Sequence, residues 1–195
     1  MSTAEHPRTS FTSFEESTAE DWAIIAPQLQ ITQSFVADRV IGLMRDLEFD
    51  HGGFPVNRLE HSLQTATRAE RDGRDGEYVL CALLHDIGDT LASTNHADLA
   101  AAILEPFVSE KNHWIVKQHA IFQGYYFFHH FDMDRDMRDR FRDHEWFRDC
   151  AEFCEKYDQN SFDPEYDSLP LEAFEPAVRA LFAKPKKTIY EGLAE

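Results

Sequence analysis

The feature that most constrains this 195-residue sequence is the stretch VLCALLHDIGD, residues Val79 to Asp89. Its six consecutive apolar residues predict a helix that is buried on all sides, and Gly88 predicts that the helix stops there. His85 and Asp86 then lie at the C-terminal end of the most hydrophobic helix. The helix dipole places partial negative charge at that end, so an anion there is unfavourable unless a cation lies beside it. The immediate neighbours of Asp86 include no Lys or Arg, so we expect the cation to come from elsewhere.

The composition restricts the partners of the protein. The sequence contains 19 Lys and Arg residues against 36 Asp and Glu residues, a formal net charge of −17. Such a surface repels nucleic acid and anionic membranes, so we expect neither as a partner. The sequence shows no apolar signal run and no segment long enough to span a bilayer, which predicts a cytoplasmic protein. Cys81, Cys150 and Cys154 form no paired CxxC motif, so we expect buried free thiols.

Apolar residues recur at helical spacing along most of the chain, and no segment alternates as a strand does. The sequence therefore predicts an all-α fold, with a flexible N-terminal arm over residues 1–16 and one helical domain over 17–195. Ser17 and Glu20 resemble a capping box, and Pro27 is expected to interrupt the helix that starts there. Further helices are expected at about 36–47, 58–71, 77–87, 95–104, 109–126, 141–159 and 171–182.

Four more His and Asp residues fall at positions suited to metal ligation. His119 lies on an apolar helical face, and Asp158 lies on the apolar stripe of the helix expected at 141–159. His96 falls in the first turn of its helix, and His61 points away from the apolar stripe of its own. Together with the pair in the opening stretch, they could hold two transition-metal ions, with Asp86 bridging the ions. The candidate ligands are His61, His85, Asp86, His96, His119 and Asp158.

Other roles for these side chains stay open at this point. Any one of the ten histidines in the sequence, taken alone, is more often an ordinary surface or core residue. Asp158 could equally pair with an Arg or with a helix N-terminus. Their conjunction with His85 and Asp86 favours ligation, because a metal supplies the cation that the helix end lacks.

The order H…HD…H…H…D resembles the HD-domain superfamily of helical metalloenzymes, in the version that holds two metals. Within this superfamily, the sequence most resembles the mixed-valent di-iron oxygenases. The resemblance rests on the stretch FDHGGFPVNRLEHSLQ and on the motif HDIG, which begins 24 residues after His61. These oxygenases include the PhnZ-type enzymes, which cleave hydroxylated aminophosphonates, and more distantly myo-inositol oxygenase. The resemblance covers about residues 46–158. It implies a single helical bundle, an Fe(II)/Fe(III) pair with O2 as co-substrate, and cleavage of a C–C or C–P bond in a small hydroxylated substrate.

Several positions depart from those relatives. Asp89 stands where the relatives carry His or Lys after HDIG, and Gln123 stands where the phosphonate enzymes carry a Lys. His51 and Phe54 replace a Tyr and a Glu before the first ligand. We therefore expect Asp89, His51 and Gln123 to act on substrate or protons. With the aromatic run FQGYYFFHHF, Asp89 could suit a neutral or cationic substrate, or the aromatics could simply be core and lid.

The alternative is a phosphohydrolase that uses two Mn or Mg ions to activate a hydroxide and clamp phosphoryl oxygens. Such enzymes recruit Lys or Arg to neutralise phosphate charge. This sequence offers Arg58, Arg68 and Lys117 but no Lys or Arg next to the His-Asp pair, which favours the oxygenase. A metal-binding regulatory domain without catalysis would be expected to have a residue that cannot bind metal at one of the ligand positions. All six candidate ligands are present in this sequence, which argues against that interpretation.

Overall fold

The computed structural model describes residues 7–49 and 52–188. Within these ranges the protein contains nine α-helices and no β-strand, which confirms the predicted all-α fold. The helices are α1 Ala19–Ser34, α2 Val36–Asp46, α3 Arg58–Arg71, α4 Gly76–Leu84, α5 Asp89–Ala92, α6 His96–Leu104, α7 Glu110–Phe127, α8 Phe147–Lys156 and α9 Leu171–Phe182. Five short 3-10 helices connect them, at Phe14–Glu16, Leu47–Phe49, Phe128–Phe131, Arg135–Phe141 and Asp158–Asn160.

Helix α4 is the centre of the bundle. Every residue from Tyr78 to Leu84 is buried, because α3, α7 and α9 all pack against this helix. The helix starts where the Asp75 side chain accepts a hydrogen bond from the Tyr78 N–H, and its apolar surface has no solvent-facing side. The prediction of a helix buried on all sides is confirmed.

Helix α4 ends before residue 87, the end predicted from the sequence. The helix ends at Leu84, and tight turns follow in which the Ile87 N–H donates to Leu84 O and the Asp89 N–H to Asp86 O. Gly88 is not a left-handed helix cap, since its φ is −78°. A Cβ on Gly88 would lie 2.5 Å from the carbonyl oxygen of His96, so glycine is needed here for the close approach of α6.

The helix expected at 141–159 is present only over 147–156, and both predicted ends are wrong. The structure has a 3-10 helix that ends at Phe141, then turns, then α8, and a second 3-10 helix that starts at Asp158. His144 stacks on Trp114 at 4.1 Å between ring centroids, and its ring accepts a hydrogen bond from the Trp146 N–H, so tertiary contacts replace helix in this stretch. Asp158 consequently begins a 3-10 helix beyond α8 and does not lie on the apolar stripe of α8.

Two details at the N-terminus also differ from expectation. The capping box that starts α1 is formed by Thr18 and Asp21, because the Ser17 hydroxyl donates to Phe14 O. Helix α1 continues through Pro27 to Ser34, on the surface, with none of its residues buried. Flexibility of residues 1–16 stays a prediction. None of the helices in residues 7–49 and 52–188 is long and apolar enough to cross a membrane.

Candidate metal centre

Five segments of the chain bring the six predicted ligands to one place. They come from α3, from the turn after α4, from the start of α6, from α7 and from the 3-10 helix after α8. Their nitrogen and oxygen atoms form three overlapping groups, and within each group these atoms lie within 4.8 Å of one another. The groups are His61–His85–Asp86, His85–His119–Asp158 and Asp86–His96–His119. Five of the six side chains are buried and His96 is half-buried, so the cluster opens to solvent on the His96 side.

A backbone carbonyl fixes the orientation of each of the four imidazoles. Because a carbonyl can only accept a hydrogen bond, each Nδ1 carries the proton and each Nε2 is left for the cluster. Second partners of this kind are characteristic of metal-binding histidines. The Nδ1 atoms lie 2.9 Å from Ser161 O for His61, 2.7 Å from Ala82 O for His85, 3.3 Å from Ser93 O for His96, and 2.6 Å from Val116 O for His119.

On the buried side, two imidazoles meet two carboxylates. The Nε2 atoms of His61 and His85 are 3.2 Å apart. Asp158 Oδ1 lies 3.2 Å from His61 Nε2 and 3.8 Å from His85 Nε2. Asp86 Oδ2 lies 3.5 Å from each of these two nitrogens. Asp158 Oδ2 is buried and has no hydrogen-bond partner among the described residues.

On the open side, the other oxygen of Asp86 meets the second pair of histidines. Asp86 Oδ1 lies 3.1 Å from His119 Nε2 and 3.4 Å from His96 Nε2. The two oxygens of one carboxylate therefore face two separate pairs of imidazoles, which is the arrangement expected of a bridging carboxylate.

The electrostatics require positive charge in the cluster. Burial alone raises the pKa of Asp86, but the imidazoles of His85 and His119 hold that pKa well below its usual range. Burial likewise raises the pKa of Asp158, and hydrogen bonds with His61 and His85 lower it below its usual range. Burial lowers the pKa of His85, yet the two carboxylates outweigh burial and raise that pKa to about 9. Both carboxylates are thus anions, and either a proton on His85 or a metal ion would balance their charge.

These residues fit a pair of transition-metal ions. The Nε2 lone pairs of His61 and His85 converge and repel each other unless a proton or a cation lies between them. The buried Asp158 Oδ2 atom has no hydrogen-bond donor in the described part of the chain, and a metal ion would supply its missing partner. Imidazole nitrogens and carboxylate oxygens are suitable ligands for Fe and Mn alike.

Sequence reasoning counted Arg58 among the available cations but did not place it beside the His-Asp pair. Its Nη1 atom lies 3.8 Å from Asp86 Oδ2 and its Nε atom lies 2.9 Å from Asp89 Oδ2, so the fold brings a cation to the His-Asp pair that the adjacent sequence positions do not supply. The guanidinium also stacks on Phe54, at 4.5 Å from the ring centroid. Arg58 precedes His61 by three residues on α3, one helical turn, and that spacing was the signal that could have found it.

Two of the three expected substrate residues adjoin the cluster. Asp89 is buried, with Oδ1 3.3 Å from His96 Nδ1, and both burial and the Asp86 charge raise its pKa. Gln123 donates a hydrogen bond from Nε2 to Asp158 Oδ1 at 3.0 Å. His51 lies outside the described residues.

The aromatic rings next to the cluster come mainly from outside the expected run. Phe162 stacks on His61 at 4.5 Å between centroids, and Phe54 stacks on Phe162 at 5.3 Å. Within the run FQGYYFFHHF, Phe122 belongs to the hydrophobic core and Phe131 is exposed.

Part of the sequence is similar to a protein named as a dioxygenase. It is 39% identical over 66 residues to the [1-hydroxy-2-(trimethylamino)ethyl]phosphonate dioxygenase (glycine-betaine-forming) of Leisingera caerulea. The alignment covers 28% of this chain and 34% of that protein, so the matched part spans about a third of the length of this relative.

The broader comparison covers the whole candidate centre. The sequence profile of the HD domain family matches residues 58–161, a range that begins at Arg58 and contains all six clustered ligands. The match extends over more than half of the chain. The protein therefore belongs to the HD domain family.

Proposed function

We propose that the protein is a di-iron oxygenase that oxidatively cleaves a C–C or C–P bond of a small hydroxylated organic substrate. The observation that carries the proposal is the position of Asp86, with one oxygen facing His61 and His85 and the other facing His96 and His119. Such a carboxylate suits two ions rather than one. The partial similarity to a dioxygenase supports oxygen chemistry over hydrolysis.

The ligands divide naturally between two ions. His61, His85 and Asp158 would hold one ion with Asp86 Oδ2, and His96 and His119 would hold the other with Asp86 Oδ1. When bound, an Fe(II)/Fe(III) pair would supply the binding of substrate hydroxyl and O2 and the oxidation itself.

The remaining residues orient the ligands and admit the substrate. The half-buried edge at His96 is the access side, while burial of the opposite side would keep water away from the reacting centre. Asp89 holds His96 through Nδ1 and holds Arg58 through an ion pair, so we assign it a positioning role. Gln123 orients Asp158 in the same way.

Arg58 bears on the kind of substrate. Its charge at the edge of the cluster supports an acidic group on the substrate, such as a phosphonate or carboxylate. The Asp89 carboxylate lies 2.9 Å from Arg58 Nε, so an acidic group on the substrate would share the guanidinium with Asp89. We therefore propose an acidic substrate, in place of the neutral or cationic one expected from sequence.

The same Arg58 supports a second candidate function. A guanidinium beside two metal ions could neutralise a phosphoryl group, as a phosphohydrolase with Mn or Mg requires.

Metal analysis and oxygen uptake separate the two candidates. We expect iron-grown protein to contain about two irons per chain, to give a mixed-valent EPR signal after mild reduction and to consume O2 with a hydroxylated phosphonate or carboxylate. His119→Ala should lose these properties, whereas His130→Ala, which changes an exposed histidine outside the cluster, should keep them. Protein that carries Mn or Mg and hydrolyses a phosphoester without consuming O2 would establish the phosphohydrolase instead.

A further inference from the structure

A pocket separate from the metal centre lies at the end of α3 that is opposite to His61. It has a volume of about 380 Å³ and shares no residue with the candidate metal ligands. Its walls come from the end of α3, the end of α8 and the loop before α9, and its lining residues are Arg68, Arg71, Asp72, Lys156, Tyr157 and Tyr166.

The pocket is cationic in a strongly acidic protein. The chain has a formal net charge of −17, yet three lining residues are cations and one, Asp72, is an anion. That anion is already engaged, since Asp72 accepts a 2.5 Å hydrogen bond from the Tyr157 hydroxyl and lies 3.8 Å from Lys156 Nζ. Lys156 in turn pairs with Glu152 at 2.9 Å.

Arg68 is the side chain that most clearly lacks a counter-ion. Its Nε atom is buried without a hydrogen-bond acceptor, and it forms no ion pair with a carboxylate in the part of the chain that the structure describes. Its guanidinium stacks on Tyr166, 3.9 Å from the ring centroid, which fixes it at the pocket wall. The guanidinium of Arg68 therefore carries a positive charge at the pocket wall without a carboxylate among the described residues to balance it, and an anion in the pocket would balance that charge.

The pocket is preformed because its outer loop is tied to α3. Arg71 donates from Nη2 to Asp167 O at 2.7 Å, one residue after Tyr166. Further bonds join Gln64 Nε2 to Asp163 O at 2.7 Å, Ser168 Oγ to a Glu60 carboxylate oxygen at 2.6 Å, and Leu169 N to Thr67 Oγ1 at 3.0 Å. Little loop ordering is therefore required when a ligand binds.

We propose that this pocket binds a small tetrahedral oxyanion, either inorganic phosphate or the phosphoryl group of a small metabolite. Two guanidinium groups and one ammonium group line one small pocket, and guanidinium matches phosphate oxygens with paired N–H donors. Arg71 has one carboxylate partner, the exposed Asp167, whose Oδ2 atom lies 3.5 Å from Arg71 Nη2, so a phosphate would chiefly balance the charge of Arg68. This site is independent of the chemistry at the metal centre.

The test is an NMR titration of the metal-loaded protein that observes the arginine Nε–H signals. At constant ionic strength, inorganic phosphate should shift the Arg68 signal saturably with a Kd of about 1 mM or below. Arg71→Gln and Lys156→Gln should each weaken this binding about tenfold, because each removes a charge-assisted hydrogen bond. Arg45→Gln, which removes an arginine paired with Glu175 outside the pocket, should leave the affinity unchanged.

The outcomes are distinct. Both test variants change exposed side chains, so thermal melts should show that they remain folded. Phosphate that binds only at the metals would leave the Arg68 signal in place, and the proposal would then be wrong. It would also be wrong if Arg71→Gln and Lys156→Gln bound phosphate as tightly as the unmodified protein. A phosphomonoester that binds more tightly than inorganic phosphate would identify a metabolite as the ligand, and equal or weaker binding would identify phosphate.

Discussion

The Nε2 atoms of His61 and His85 face each other at 3.2 Å in the buried side of the cluster. Both rings direct Nδ1 to a backbone carbonyl, so neither can turn its lone pair away without losing that bond. A cation between the rings removes the repulsion. This relationship, together with the two-sided position of Asp86, underlies the first two predictions.

Removal of Asp86 is expected to remove both metals and to lower stability. Asp86→Ala takes away the carboxylate that faces both histidine pairs, and bound metal contributes to folding. A stabilisation of about 3 kcal/mol from tightly bound ligand corresponds to a loss of about 6–12 °C in Tm for a chain of this size. Elemental analysis and calorimetry on metal-loaded protein measure both effects. Asp143→Ala, an exposed control, should change neither, and full metal content in Asp86→Ala would refute the bridging assignment.

Removal of the His96 side chain is expected to abolish binding of one of the two metal ions and to leave the other ion bound. His96 faces Asp86 Oδ1, whereas the buried ion would keep His61, His85 and Asp158. His96→Ala should therefore fall from about two to about one metal per chain in elemental analysis. Retention or loss of both metals would contradict the division of ligands proposed above.

Arg58 is expected to govern substrate affinity without holding metal. Arg58→Gln removes a charged donor that lies 3.8 Å from Asp86, and the loss of a hydrogen bond to a charged group costs about 1.5–3 kcal/mol. The kcat/KM for an acidic substrate should fall about tenfold to a hundredfold in oxygen-uptake assays, with metal content unchanged. Arg39→Gln changes an exposed arginine on α2 and serves as the control. An equal fall with an uncharged substrate would show that Arg58 does not contact an acidic group.

Gly88 is expected to be required for the approach of α6 to the His-Asp turn. In Gly88→Ala the new Cβ would lie 2.5 Å from His96 O, a backbone atom that cannot move alone. Overpacking of this kind costs about 1–3 kcal/mol in the free energy of unfolding. Gly42→Ala in α2 meets nothing within 4 Å and should be neutral or stabilising, so urea denaturation of the two variants forms a matched pair. Equal stability would show that the turn has room to adjust.

Glu77 is expected to make stability depend on pH in the acidic range. Burial raises the pKa of Glu77, but Lys186 and the hydrogen bonds from Ser109 and Asn112 outweigh burial and lower it from 4.5 to about 2. The unfolded state therefore binds the proton more readily, and the stabilisation is present above pH 4.5 and is lost as the pH falls through about 2. Glu77→Gln should lose about 1–2 kcal/mol at pH 7, after allowance for partial exposure, and much less near pH 2.

Urea denaturation at several pH values measures this difference. Glu110→Gln removes an exposed carboxylate that pairs with Lys187, and its effect should be small at every pH. A Glu77→Gln difference that does not shrink below pH 4.5 would mean that packing, and not the charge of the carboxylate, is the source of the stabilisation.

The sequence by itself determined the helical class, the buried character of α4 and the six side chains that meet in the candidate centre. Helical periodicity is a local property, and a His-Asp pair at the end of an apolar helix needs a cation wherever the rest of the chain goes. The tertiary structure alone decided that Asp158 begins a 3-10 helix beyond α8, that the backbone of His96 packs closely against Gly88, and that Arg58 and Asp89 pair beside the ligands. These features depend on contacts between segments distant in sequence, such as the stacking of Trp114 on His144, and local propensity carries no information about such contacts.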